Sequence, residues 1–147
     1  MYARILVPVD GSGTSTRGLT EALALAKVVG AKVRLVHIVN EVNIAPAYAA
    51  GMQYGQVIES MRTYGKAVLQ EAEKRVRDNG LEPESVMIES LGSPAGDIII
   101  EQATKWGAEL IVLGTHGRRG LRRMVLGSDA EHVVRHSDVP VLLVRSV

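Results

Sequence analysis

The chain contains no cysteine, so neither a disulfide framework nor thiol chemistry is open to it, and the composition fits a reducing compartment. Phenylalanine is also absent and tryptophan occurs once. With aromatics at 3%, stacking platforms for single-stranded nucleic acid are not expected. A formal charge of +1 gives no general attraction to nucleic acid or to an anionic membrane surface. No apolar run approaches the roughly 20 residues of a membrane-spanning helix. The first such run, residues 5–9, gives way at once to Asp10 and Gly11, too early for a signal peptide. A cytoplasmic protein with no nucleic-acid and no membrane partner is therefore expected. Three familiar motifs are missing as well. Gly65-Lys66 is followed by Ala67, which breaks the Walker A pattern; Thr16 stands where the dinucleotide fingerprint of Gly11-Ser12-Gly13 needs its third glycine; and there is no G-x-S-x-G elbow.

What is present is aliphatic. Of 147 residues, 46% are hydrophobic, almost all Val, Ile, Leu and Ala, which suits buried parallel strands under helices in one domain. Strand-like and helix-like segments alternate throughout. Residues 5–9 are an apolar run closed by the turn cluster Asp10-Gly11-Ser12-Gly13. Leu19, Ala22, Leu23 and Ala26 follow at helical spacing, with Thr14 or Ser15 as the N-cap and Gly30 as the stop. A second strand covers 32–39. Residues 40–55 have no clean period, and a functional flap and a tolerated surface insertion both fit them. A helix is predicted over 56–78, a short strand over 86–88, and a helix opened by Ser93 as N-cap with Pro94 at its first position. Residues 109–114 read as a strand. Ser128-Asp129-Ala130-Glu131 reads as a capping box for the last helix, and residues 139–144 as the last strand. Five strands alternating with four helices predict a doubly wound α/β domain spanning residues 1–147, its parallel sheet covered on both faces.

Ligands of such sheets lie beyond the carboxyl ends of the strands. The segment 114–128 leaves an apolar strand, carries glycines at 114, 117, 120 and 127, and ends at a helix start. Free backbone amides and a helix N-terminus form an anion site, and the Ser128 hydroxyl is placed to donate to phosphate. The alternative is that the glycines only shape a connection and Ser128 only caps. Arg118, Arg119, Arg122 and Arg123 either clamp phosphates or form a solvated basic cluster, the latter fitting most of the four. Asp10 directly follows the first strand, where a carboxylate either accepts from ribose hydroxyls, holds magnesium through water, or merely caps a turn. His116 lies among the glycines, within reach of phosphate, while His37, His132 and His136 read as structural or surface residues. No histidine stands at metal-ligand spacing, so no metal site is predicted.

These residues together resemble the universal stress protein family, in its nucleotide-binding branch. The resemblance rests on Ile5-Leu6-Val7-Pro8-Val9-Asp10-Gly11-Ser12, on Val36-His37-Ile38, and on Val112-Leu113-Gly114-Thr115-His116-Gly117. Its most specific part is the pattern G-x2-G-x9-G-[ST], met by Gly114, Gly117, Gly127 and Ser128. It implies a flavodoxin-like sheet of strand order 3-2-1-4-5, with ATP or AMP between strands 1 and 4 and Mg2+ in company with ATP. By position, Pro8, Val9 and Asp10 would line adenine and ribose, the Ile38 backbone would bond the adenine edge, and Gly114, His116, Gly117, Gly127 and Ser128 would hold ribose and phosphates. It also implies a homodimer through the last strand. Independently, Val139-Pro140-Val141-Leu142-Leu143-Val144 is apolar on both faces at a sheet edge, and such an edge invites pairing with a second copy unless the chain's own helix covers it.

The residues show no evident general base, so a nucleotide-responsive regulatory protein of the stress response is expected rather than an enzyme. Two alternatives stay open: a slow Mg-dependent ATPase or nucleotidyl-transferring enzyme using Asp10 and His116, and an interaction module in which nucleotide is structural.

Overall fold

The computed structural model describes residues 1–40, 47, 49–115 and 126–145. Its elements alternate along the chain as β1 (Arg4–Pro8), α1 (Gly13–Val29), β2 (Lys32–Asn40), α2 (Tyr54–Asp78), β3 (Pro83–Ser90), α3 (Ala95–Trp106), β4 (Leu110–Gly114), α4 (Ser128–His136) and β5 (Val141–Val144). The five strands form one parallel sheet in the order β3-β2-β1-β4-β5, as the resemblance implied. Alternation along the central strand divides the core. Ile5, Val7 and Val9 join Leu19, Ala22, Leu69 and Val76 beneath α1 and α2, whereas Leu6 joins Ile99, Ala103, Ala130 and Val133 beneath α3 and α4.

Several boundaries differ from the sequence reading, and the reasons are local. The N-cap of α1 is Ser12, not Thr14 or Ser15: its Oγ accepts the Ser15 N–H at 3.1 Å, and Thr14 and Ser15 lie buried inside the first turn. Gly30 ends the helix in the left-handed region at φ 72°. Helix α2 starts two residues early, at Tyr54, with the Gln53 N–H donating to Gln56 Oε1. Pro94 is the N-cap of α3, and Ser93 contributes its carbonyl to Ser90 Oγ at 2.8 Å instead of capping. Gly127, not Ser128, is the N-cap of α4, which therefore has no side-chain cap and no capping box.

The largest difference is β3, which runs well beyond residues 86–88. Its polar ends are held by partners from other elements. Glu84 accepts two N–H groups from Arg34, whose guanidinium lies 4.7 Å from the Trp106 ring centroid. Glu89 accepts from Arg62 of α2. These tertiary contacts keep all eight residues in register with β2. At the opposite edge β5 begins at Val141, and Pro140 gives its carbonyl to the Ile111 N–H at 2.9 Å. Val144 is buried there, but Leu142 is 40% exposed. Among the described residues no helix is long and apolar enough to cross a membrane.

Candidate nucleotide-binding site

Two strand ends and one helix start meet at the carboxyl edge of the sheet. The first is the β1–α1 turn. Here the Asp10 N–H donates to Ser15 Oγ at 3.1 Å, and Asp10 Oδ1 accepts the Ser12 N–H at 2.8 Å. Gly11 takes φ 85° and has no room for a side chain, since a Cβ would fall 2.3 Å from the Tyr64 hydroxyl oxygen. That hydroxyl donates to the Asp10 carbonyl at 2.9 Å. Asp10 and Pro8 are half-buried, whereas Val9 is 6% exposed.

The second is the end of β4. Gly114 lies against α1 so closely that a Cβ would meet the Thr14 carbonyl carbon and oxygen at 2.8 Å. Gly18 of α1 faces Gly114 in turn, its own Cβ position 3.3 Å from the Gly114 nitrogen. The first glycine of the pattern therefore has a packing reason: it brings the β1–α1 turn against β4. This contact makes the crevice at the point where strand order reverses.

The third is the start of α4. Gly127 donates its N–H to the Thr115 carbonyl at 2.7 Å, and the Thr115 N–H donates to Val144 at 3.0 Å. The base of the 116–126 segment is thus pinned to the sheet. Thr115, which the sequence reading quoted without a role, does the pinning. The Gly127 amide is consequently not part of a free amide row. The Ser128, Asp129 and Ala130 amides are the ones left without an intrahelical acceptor, because the first helical bond runs from Glu131 to the Gly127 carbonyl. Two acids share this turn, and both are engaged elsewhere. Asp129 accepts the Gly96 N–H of α3 at 3.3 Å, and Glu131 pairs with Arg135 at 2.8 Å. An uncapped helix N-terminus of this kind attracts an anion through its amides and its dipole.

The Ile38 backbone borders the same crevice. At one end of the ladder Lys32 donates to Ala3, and at the other Val36 accepts from Val9, so the even-numbered residues of β2 direct their peptide groups at β1. Ile38 does so where β1 has already ended. Of the residues expected at the site, Pro8, Val9, Asp10, Ile38, Gly114, Gly127 and Ser128 thus come together. His116 and Gly117, like Gly120 and the four arginines at 118, 119, 122 and 123, lie outside the described residues, as do residues 41–46 and 48 of the 40–55 segment. An open hollow of about 740 Å³ also runs along α2 from Gly55 to Ala67. Its lining includes Tyr64 but none of Asp10, Ile38, Gly114 and Ser128, so it is a different place from the crevice.

Comparison with known proteins points the same way. The model of the universal stress protein family matches residues 1–145. The chain is 34% identical to the universal stress protein MJ0531 of Methanocaldococcus jannaschii over 99% of its own length and 83% of the relative's. It is 30% identical to YxiE of Bacillus subtilis over 99% and 100%. Among solved structures, MJ0577 of M. jannaschii superposes with a TM-score of 0.85 at 25% identity, covering 100% of this chain and 98% of that one. Two others have TM-scores of 0.69. One is a universal stress protein in complex with cAMP, at 27% identity and covering 99% and 98%. The other is the Archaeoglobus fulgidus protein in complex with dAMP, at 26% identity and covering 97% and 98%.

Proposed function

Since the chain belongs to the universal stress protein family, we propose that it binds ATP or AMP in the β1–β4 crevice and that occupancy regulates its protein interactions in the stress response. The observation that carries this reading is the start of α4. Three helix amides lack an intrahelical partner, no side chain among the described residues caps them, and a hydrogen bond from Gly127 to Thr115 fixes them beside the end of β4. That arrangement suits an anionic group. The adenylates bound by two structural neighbours support adenine as the base.

Under this reading Ser128 and the first-turn amides of α4 hold phosphate, with His116 and Gly117 contributing from the loop. Asp10 accepts from the ribose hydroxyls and, with ATP, holds Mg2+ through water. The Ile38 peptide meets the adenine edge, and Pro8 forms part of the wall. Val9 and Gly114 act by shaping the crevice, since one is buried and the other packs on Thr14. The function is grip and response without turnover, in the cytoplasm, as a homodimer paired through β5.

Calorimetry on protein stripped of small molecules tests it. Binding of ATP, ADP or AMP, weakened at least tenfold in S128A, is the expected result. No heat from any of the three at millimolar concentration would sink the proposal. Phosphate release that is abolished by D10A while binding persists would instead favour the slow ATPase.

A further inference from the structure

One buried imidazole lies where the β1–β2 ladder stops. His37 is 5% exposed, and its Nδ1 lies 2.8 Å from the Val9 carbonyl oxygen. A carbonyl only accepts, so Nδ1 carries the proton. The regular continuation of a parallel ladder would have given that carbonyl to the Ile38 N–H. No such rung forms: the last bond of the ladder is the one from the Val9 N–H to Val36 at 2.8 Å.

The surroundings are built for this imidazole. Helix α2 comes down on it at Gly65, where a Cβ would lie 2.6 Å from the ring Cδ2 and 2.9 Å from the Met87 sulfur. The neighbouring Tyr64 ring meets it edge-on at 6.1 Å and takes the next carbonyl, that of Asp10. Two successive carbonyls at the end of β1 are therefore drawn toward α2 by side chains, and the peptide of Ile38 is left at the crevice.

We propose that His37 is a positioning residue of the nucleotide site: by taking the Val9 carbonyl it ends the ladder one rung early and keeps the Ile38 amide available to the adenine edge. This rests on the nucleotide reading above and goes beyond it, because it assigns base selectivity to a buried residue that acts through the peptide of its neighbour. Replacing His37 with an aliphatic residue lets the freed Val9 carbonyl take the Ile38 N–H, closing the place where the base is read. Asparagine keeps a donor near the position of Nδ1.

The experiment has a ligand-free arm and a ligand arm. Amide hydrogen exchange at Ile38, followed by NMR without nucleotide, is expected to slow about five- to tenfold in H37L, the effect of one added hydrogen bond, and to stay at the wild-type rate in H37N. H37Q, which moves the donor away from Val9, replaces H37L if that variant does not fold. In the ligand arm, the wild type prefers ATP over ITP, whose base reverses the donor and acceptor at the edge. H37L loses that preference and H37N retains it. Unchanged Ile38 exchange in H37L, or an ATP preference intact in H37L, overturns the role of His37 while leaving nucleotide binding standing. Wild-type protein that binds neither nucleotide overturns the functional reading itself, and this inference with it.

Discussion

The imidazole of His132 on α4 packs against the backbone of Gly96 on α3, where a Cβ would lie 2.8 Å from the ring Cδ2 and 3.1 Å from the His132 Cβ. The same histidine places Nε2 2.5 Å from Asp97 Oδ1, so the two helices are fixed to each other near their first turns. A methyl at position 96 would have to displace the root of a side chain, not its flexible tip.

G96A is accordingly expected to destabilise the protein by about 1–2 kcal/mol, the overpacking cost exceeding the helix-propensity gain of alanine. In an H132A background the cost shrinks, because the ring contacts are gone while the contact with the Cβ of residue 132 at 3.1 Å remains. Urea denaturation of the two single variants and the double variant measures both effects.

Gly114 meets backbone, which cannot rotate away. G114A should cost about 1–3 kcal/mol in ligand-free protein, by urea denaturation. An unchanged midpoint would mean that this glycine is needed for ligand approach alone.

Loss of the Ser12 hydroxyl removes the N-cap of α1. S12A is expected to lose about 1 kcal/mol of stability, again measured by denaturation.

The Arg62 guanidinium donates to Glu89 through Nε and Nη2 and holds that carboxyl below the usual carboxylate range. A depressed carboxylate stabilises the fold above its unfolded pKa, and the contribution disappears as pH falls through the lower, folded value. R62A should return Glu89 to the ordinary range, seen by 13C NMR titration of its carboxyl. It should also flatten the acid limb of the stability profile.

If β5 pairs with a second copy, L142D places a charge in the joint. Sedimentation should then change from dimer for the wild type to monomer for the variant. A wild type that sediments as a monomer at micromolar concentration would remove the dimer from the functional picture.

The alternation of elements was legible because it depends on period, and aliphatic runs with glycine stops carry period plainly, whereas the sheet order came from the family resemblance alone. Helix starts were not. Ser12, Pro94 and Gly127 each precede or displace the residue that composition favours, and a cap is decided by geometry over one or two positions. The ends of β3 were hidden because Glu84 and Glu89 look like turn residues until Arg34 and Arg62 are brought to them from elsewhere. At the site, the glycine pattern located the crevice. Its signal could not separate Gly114, which packs, from Ser128, which presents amides. The roles of His37, Tyr64, Gly65 and Thr115 left no trace in spacing, since each acts through a contact with a residue distant in sequence or through a single backbone bond.

The bond from Gly127 to Thr115 also closes, by backbone alone, the connection between β4 and α4. Its two ends are joined at 2.7 Å by the scaffold itself. Neither partner in that bond is a side-chain group, so side chains on either side can change while the joint persists, which separates the evolution of recognition from the survival of the fold.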